Sequence, residues 1–166
     1  QLQMWEEIGP VNIRAIMDTF SEIAYKHLKT IRLWKVKAED EGVRSICNYI
    51  EKAQTIEYLD LLDNDISPLG CEFLGKVLGP NSPIVKMKLD HNCFGTEGLR
   101  NLTGGLSKNS TIEKLSLKYC KIDQFGSKYL QDILANINSK LKSIKLQGNP
   151  LKNEGVFQLL RAAEFN

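Results

Sequence analysis

The sequence predicts an α/β solenoid, a row of strand–helix units that stay folded by leaning on one another. Two patterns running in phase predict it. The first is the spacing L-x-x-L-x-L-x-x-N/C-x-L, where L is any apolar residue. It fits Ile56, Leu59, Leu61, Asn64 and Ile66, and then Ile84, Met87, Leu89, Asn92 and Phe94. It fits again at Ile112, Leu115, Leu117, Cys120 and Ile122, and at Leu141, Ile144, Leu146, Asn149 and Leu151. A degenerate copy stands upstream at Leu28, Ile31, Leu33, Val36 and Ala38, and the first positions are 28, 28, 28 and 29 residues apart. The second pattern is a file of glycines, Gly42, Gly70, Gly98, Gly126 and Gly155, at the same four spacings.

In each copy the fourth and sixth positions lie two apart, so their side chains face one side of a strand and point into a core. The asparagine position has a separate task. Its amide can satisfy backbone groups in the turn leaving the strand, and successive copies can stack as a ladder. Cys120 is a weaker donor there and Val36 cannot hydrogen-bond at all, so the first unit is atypical. Each glycine opens a helical segment. Four residues on come Ile46, Leu74, Leu102, Leu130 and Leu159, and eight on come Ile50, Leu78, Leu106, Leu134 and Ala163. That pairing is one face of an amphipathic helix. One unit cannot bury both apolar faces alone, but a stack buries them continuously. Gly104-Gly105 falls inside one of these helices and points to close packing.

The ends depart from the repeat. Pro10 followed by Ile13, Ile16, Met17, Phe20, Ile23 and Ala24 predicts a helix over about 11–26, packed on the first strand as an N-terminal cap. The alternative is the helix of an earlier, irregular unit, since Gly9 to Leu28 is 19 residues against 14 or 15 in the later copies. The last helix, near Gly155 to Phe165, ends without a polar capping unit. Either further repeats or a partner is expected to cover that end.

These residues resemble the leucine-rich repeat family, in its long-repeat, ribonuclease-inhibitor-like subclass, over about residues 28–163. The resemblance implies a right-handed solenoid bent into a horseshoe arc, with a parallel sheet on the concave face and helices on the convex face. It divides the chain into a capping-helix region, 1–27, and five repeats at about 28–55, 56–83, 84–111, 112–140 and 141–166, expected to be part of a longer chain.

Composition narrows the function. The chain has 166 residues, 42% hydrophobic and 25% charged, with a net charge of +2. That suits one soluble domain and is too mild to imply nucleic-acid binding. No apolar stretch approaches the roughly 18–20 residues needed to cross a membrane, and no signal peptide opens the chain. Cys47, Cys71, Cys93 and Cys120 form no C-x-x-C pair, which predicts reduced thiols and a cytoplasmic protein. Sequons at Asn101 and Asn109 are then chance matches. Phosphate-cradling, nucleophile-elbow and zinc-helix motifs are all absent, and no cofactor is expected. His27 and His91 stand alone, the first structural and the second solvated. Asp60, Asp63, Asp65 and Asp90 read as a solvated acidic patch rather than a cation site.

The outward strand positions should carry any binding. They are Thr30, Arg32, Trp34 and Lys35; Tyr58, Asp60, Leu62 and Asp63; Lys86, Lys88, Asp90 and His91; Lys114, Ser116, Lys118 and Tyr119; and Ser143, Lys145, Gln147 and Gly148. Trp34 and Leu62, with Tyr58 close by, form an expected apolar and aromatic anchor. Lys86, Lys88, Lys114, Lys118 and Lys145 form a basic stretch that would steer an acidic protein partner. The same lysines could also be ordinary strand solubilisation. The function expected is a non-catalytic protein-interaction module. The repeat class also implies three alternatives: activating a small GTPase, capping actin filaments, or acting as an inhibitor.

Overall fold

Six short strands alternate with six helices in residues 1–163, the residues described by a computed structural model. They are β1 (Leu2–Met4), α1 (Gly9–Glu22), β2 (Thr30–Leu33), α2 (Glu39–Ala53), β3 (Tyr58–Asp60), α3 (Pro68–Val77), β4 (Lys86–Lys88), α4 (Gly95–Leu106), β5 (Lys114–Ser116), α5 (Ser127–Leu134), β6 (Ser143–Lys145) and α6 (Lys152–Ala163). A 3-10 turn at Gln124–Gly126 leads into α5. The strands lie in one parallel sheet in sequence order. Strands sit about 4.8 Å apart and packed helices about 8–10 Å, so a row of such units bends with its sheet on the inner, concave side. The expected run of the last helix to Phe165 and the last repeat's end at 166 lie outside the described residues.

The N-terminal region is more than a capping helix. Leu2 and Met4 pair with Ile31 and Leu33 in parallel register, so residues 1–27 hold a strand as well as a helix. This strand and helix precede the first copy of the motif. The helix ends at Glu22, so Ile23 and Ala24 do not belong to its apolar face and lie exposed beyond it. Ile13 and Met17 supply the buried contacts instead.

The asparagine ladder is an inter-repeat device. The Asn92 side chain is fully buried; its Oδ1 accepts from Asn64 N at 2.9 Å and Ile66 N at 3.2 Å. Its Nδ2 donates to Leu61 O at 2.8 Å and Leu89 O at 2.9 Å. Asn64 does the same for the turn at Val36 and Ala38, and Asn149 for the turn at Cys120 and Ile122. Each amide thus ties down the turn of the unit before it. The Cys120 thiol donates to Leu89 O and Lys118 O, both at 3.3 Å. Val36 holds its neighbour through its carbonyl, which accepts from Gly9 N at 2.9 Å.

The glycine file answers a packing need. In three units the apolar residue four positions before the glycine folds back over the first helical turn. A Cβ on Gly70 would stand 2.7 Å from Ile66 Cγ2, on Gly98 2.5 Å from Phe94 Cβ, and on Gly126 2.4 Å from Ile122 Cγ2. The helix starts are also linked across units. Asp40, in the first turn of α2, accepts from Ser67 N and Gly70 N at 2.9 Å each and so caps α3.

Burial is graded along the stack. Ile112, Leu115 and Leu117 are buried, whereas their counterparts Leu141, Ile144 and Leu146 are only partly so. Phe157 and Leu160 of α6 are largely exposed. Burial also sets thiol reactivity. It pushes the Cys120 thiol up to about 12, and raises Cys47 and Cys71 well above the usual range. Only the thiolate reacts, and Cys93 alone of the four cysteines is exposed. A thiol reagent is therefore expected to add one label to the folded protein and four after unfolding, read by intact mass. A second label in the folded state would contradict this packing.

Candidate functional site

The register sorts the outward side chains into rows crossing the concave sheet. One row runs Thr30, Tyr58, Lys86, Lys114, Ser143, and the next Arg32, Asp60, Lys88, Ser116, Lys145. The backbone bonding continues past the strand ends, with Lys35 N on Leu62 O and His91 N on Lys118 O. A third row therefore holds Trp34, Leu62, Asp90, Lys118 and Gln147, and a fourth Lys35, Asp63, His91, Tyr119 and Gly148. Lys35, Asp63, His91, Tyr119 and Gly148 all have φ between 54° and 74°. That left-handed step breaks the strand alternation, and it is why two consecutive positions can both face outward.

The N-terminal half of the face is a polar cluster centred on Asp60, in which Asp60 Oδ1 and Arg32 Nε are buried without a hydrogen-bond partner among the described residues. Tyr58 Oη donates to Asp60 Oδ2 at 2.9 Å, and Lys88 Nζ lies 3.2 Å from the same carboxylate. The Arg32 guanidinium sits 5.0 Å from the Tyr58 ring centroid and Lys88 Nζ 5.7 Å, positions where a ring face attracts a cation. The Tyr58 hydroxyl, and then the Asp60 carboxylate, hold the Lys88 ammonium above the ordinary lysine range.

Two expectations need correction here. Asp60 is not solvated; it is 1% exposed, roofed by the long side chains around it. Tyr58 does not join Trp34 and Leu62, because the row of Arg32 and Asp60 runs between them. Trp34 and Leu62 remain adjacent and half-buried. The other acidic residues are also engaged: Asp63 faces Lys35 at 3.7 Å, Asp65 faces Lys37 at 3.3 Å, and Asp90 Oδ1 accepts from Lys118 N at 2.9 Å. Among the described residues no group of three or more His, Cys, Asp or Glu is placed to hold a metal ion.

His91 and Tyr119 stack at 4.6 Å between ring centroids on the turn edge. The Tyr119 ring lies over Gly148, where a Cβ would stand 2.2 Å from it. Tyr119 is 50% exposed, so this edge offers a flat aromatic surface.

The C-terminal half is basic and open. Lys86, Lys88, Lys114 and Lys145 surround a basin of about 100 Å³, with Ser116 and Ser143 also lining it. Lys118, expected within the basic stretch, belongs to the third row and stands apart. Ser116 was expected to face outward but was counted in neither the apolar anchor nor the basic stretch. It is 5% exposed and its hydroxyl has no partner among the described residues. Its place in the row of Lys88 and Lys145 was the available signal.

Comparison with known proteins agrees with this geometry. A family model described as Leucine Rich repeat matches residues 52–75 and 138–160. Ribonuclease inhibitor of Mus musculus is 27% identical over 84% of this chain, which spans 31% of that protein. NACHT, LRR and PYD domains-containing protein 5 of Homo sapiens is 29% identical over 78% of the chain, which spans 11% of its length. The chain therefore covers a third or less of these relatives. Among solved structures, Leiomodin-1 Actin-Binding Site 2 superposes with a TM-score of 0.64 at 13% identity, covering 90% of this chain and 89% of that one. At that identity the likeness concerns the fold. No helix among the described residues is long and apolar enough to cross a membrane.

Proposed function

We propose, from the premise that this chain is a leucine-rich repeat protein of the ribonuclease-inhibitor-like class, that it is a non-catalytic interaction module whose concave sheet receives a protein partner with an acidic surface. The observation that carries this is the charge layout of the sheet. Asp60 is committed to Tyr58 and Lys88, whereas Lys86, Lys114 and Lys145 have no carboxylate within ion-pair distance among the described residues. An uncompensated basic patch on a rigid concave wall steers an acidic partner and fixes its orientation. The Trp34–Leu62 pair and the Tyr119 edge supply apolar contact beside it. Aromatic side chains with polar tips are favoured anchors in such contacts.

The test uses the chain as bait in extract from its source, with bound proteins identified by mass and their affinity measured with purified partner. Lys114→Glu with Lys145→Glu is expected to weaken that affinity by about tenfold or more, and wild-type binding should fall with added salt. The convex substitution Lys128→Glu should leave it unchanged. Equal binding by the concave and convex variants, both folded by circular dichroism, would remove the concave assignment. Trp34→Ser with Leu62→Ser tests the apolar pair separately; unchanged affinity in a folded variant takes those two residues out of the contact.

A further inference from the structure

Ser116 poses a specific question. Its hydroxyl is buried on the floor of the basic basin and has no hydrogen-bond partner among the described residues. Buried polar groups are almost always paired, and an orphan is unfavourable to keep. Alanine would fill the position without that penalty. An unpaired hydroxyl in a basin lined by four lysines is what an anionic acceptor would satisfy.

The surrounding charge indicates which acceptor. Ser116 is flanked across its row by Lys88 and Lys145 and lies two residues along its strand from Lys114. Neighbouring strands are about 4.8 Å apart, so lysine stems of this length can bring their ammonium groups over one point above the hydroxyl. Glu113 is the nearby carboxylate, but it is paired with Lys142 at 3.0 Å. Its carboxyl is held below the usual range first by Lys142 and then by Lys114 and Lys86, which registers the positive field of the basin. No arginine lines the basin, so its charge is carried by lysine ammonium groups, compact point charges with rotatable donors. Lysines act as point charges and serve phosphate well. A phosphate ester brings about two negative charges and three acceptor oxygens, against the single charge of a carboxylate. The space, about 100 Å³, holds several waters or one tetrahedral oxyanion.

We propose that this basin is a phosphate-binding subsite that takes a phosphorylated side chain of a protein partner, with Ser116 Oγ donating to a phosphate oxygen and Lys114, Lys145 and Lys86 neutralising its charge. The proposal rests on the concave face being the contact surface and specifies the chemistry it reads. Lys88 stays shared with Asp60.

The test is an amide-resolved NMR titration of the chain at constant ionic strength with inorganic phosphate, then with a phosphoserine peptide and its unphosphorylated form. Saturable shifts centred on residues 114–116 and 145 are expected, with the phosphopeptide binding more tightly than inorganic phosphate and the unmodified peptide not binding there. Ser116→Ala removes an unpaired hydroxyl, so it should fold as well as wild type while weakening phosphate binding about tenfold; Lys114→Gln should weaken it at least as much. Absence of saturation overturns the proposal. So do shifts spread over remote lysines such as Lys29 and Lys76, or an affinity unaltered by Ser116→Ala. A phosphopeptide no tighter than free phosphate overturns the protein-borne source. If phosphate fails while Lys114→Glu with Lys145→Glu still abolishes partner capture, the docking surface stands and only its phosphate chemistry falls.

Discussion

Asn92→Ala is expected to remove about 3–5 kcal/mol of stability, a large share of what holds a domain folded. The side chain is fully buried in the middle of the stack and serves five backbone groups from two units: Asn64 N, Ile66 N, Leu61 O, Leu89 O and, more weakly, Asp90 O. Alanine would leave two buried N–H donors without an acceptor, at about 1–3 kcal/mol each, and open a cavity besides. Asn149→Ala makes the same chemical change where the ladder is only half-buried, so water can replace part of what is lost and about 1–2 kcal/mol is expected. Urea unfolding of both variants checks this. Because each unit is stabilised mainly by its neighbours, the Asn92 lesion should also broaden the transition. Equal losses at the two positions, or a loss at Asn92 under about 1 kcal/mol, would mean that the ladder does not carry the stack.

The repeat architecture was legible because both of its signals are periodic. The apolar positions and the glycines recur in phase, and each strand from β2 to β6 falls within its copy of the motif. The first strand was not legible for the same reason. Leu2 and Met4 occupy the fourth and sixth motif positions, but Glu7 and Gly9 stand where asparagine and an apolar residue would follow. Two matches are too few to register.

At the candidate site, strand alternation identified which side chains face outward, and the rows follow from the spacing. Burial within the rows was not legible, because it depends on neighbours 28 residues away. Asp60 faces out of its strand, yet Tyr58 and Lys88 close over it. Ser116 faces out of its strand between Lys88 and Lys145, yet it is buried and its hydroxyl has no hydrogen-bond partner among the described residues. The glycines were legible as a pattern but not in their cause. Only the structure shows that Ile66, Phe94 and Ile122 occupy the space a Cβ would need.

Gly105→Ala and its neighbour Gly104→Ala are expected to change stability in opposite directions. Both lie within α4, and alanine favours a helix interior over glycine by about 1 kcal/mol at either position. At Gly104 nothing lies within 4 Å of an added Cβ, so that gain should appear almost whole, raising Tm by about 2–4 °C. At Gly105 the Cβ would stand 2.1 Å from the carbonyl oxygen of Gly75, and a Cβ on Gly75 would meet Asn101 O at 2.4 Å. Here α3 and α4 touch backbone to backbone, and a carbonyl cannot rotate aside as a side-chain tip can. The helices must separate, which costs about 1–3 kcal/mol and offsets or overrides the propensity gain. The separation also has a geometric consequence. The arc exists because helices are spaced more widely than strands, so spreading α3 from α4 increases the bend beneath them, between β3 and β4. That bend sets how Tyr58 on β3 stands against Lys86 and Lys88 on β4 across the basin. Gly105→Ala should therefore lower Tm and also weaken partner binding, although residue 105 lies on the convex side. Gly104→Ala should leave binding untouched. If both substitutions raise Tm, the close helix contact is not what spaces these repeats.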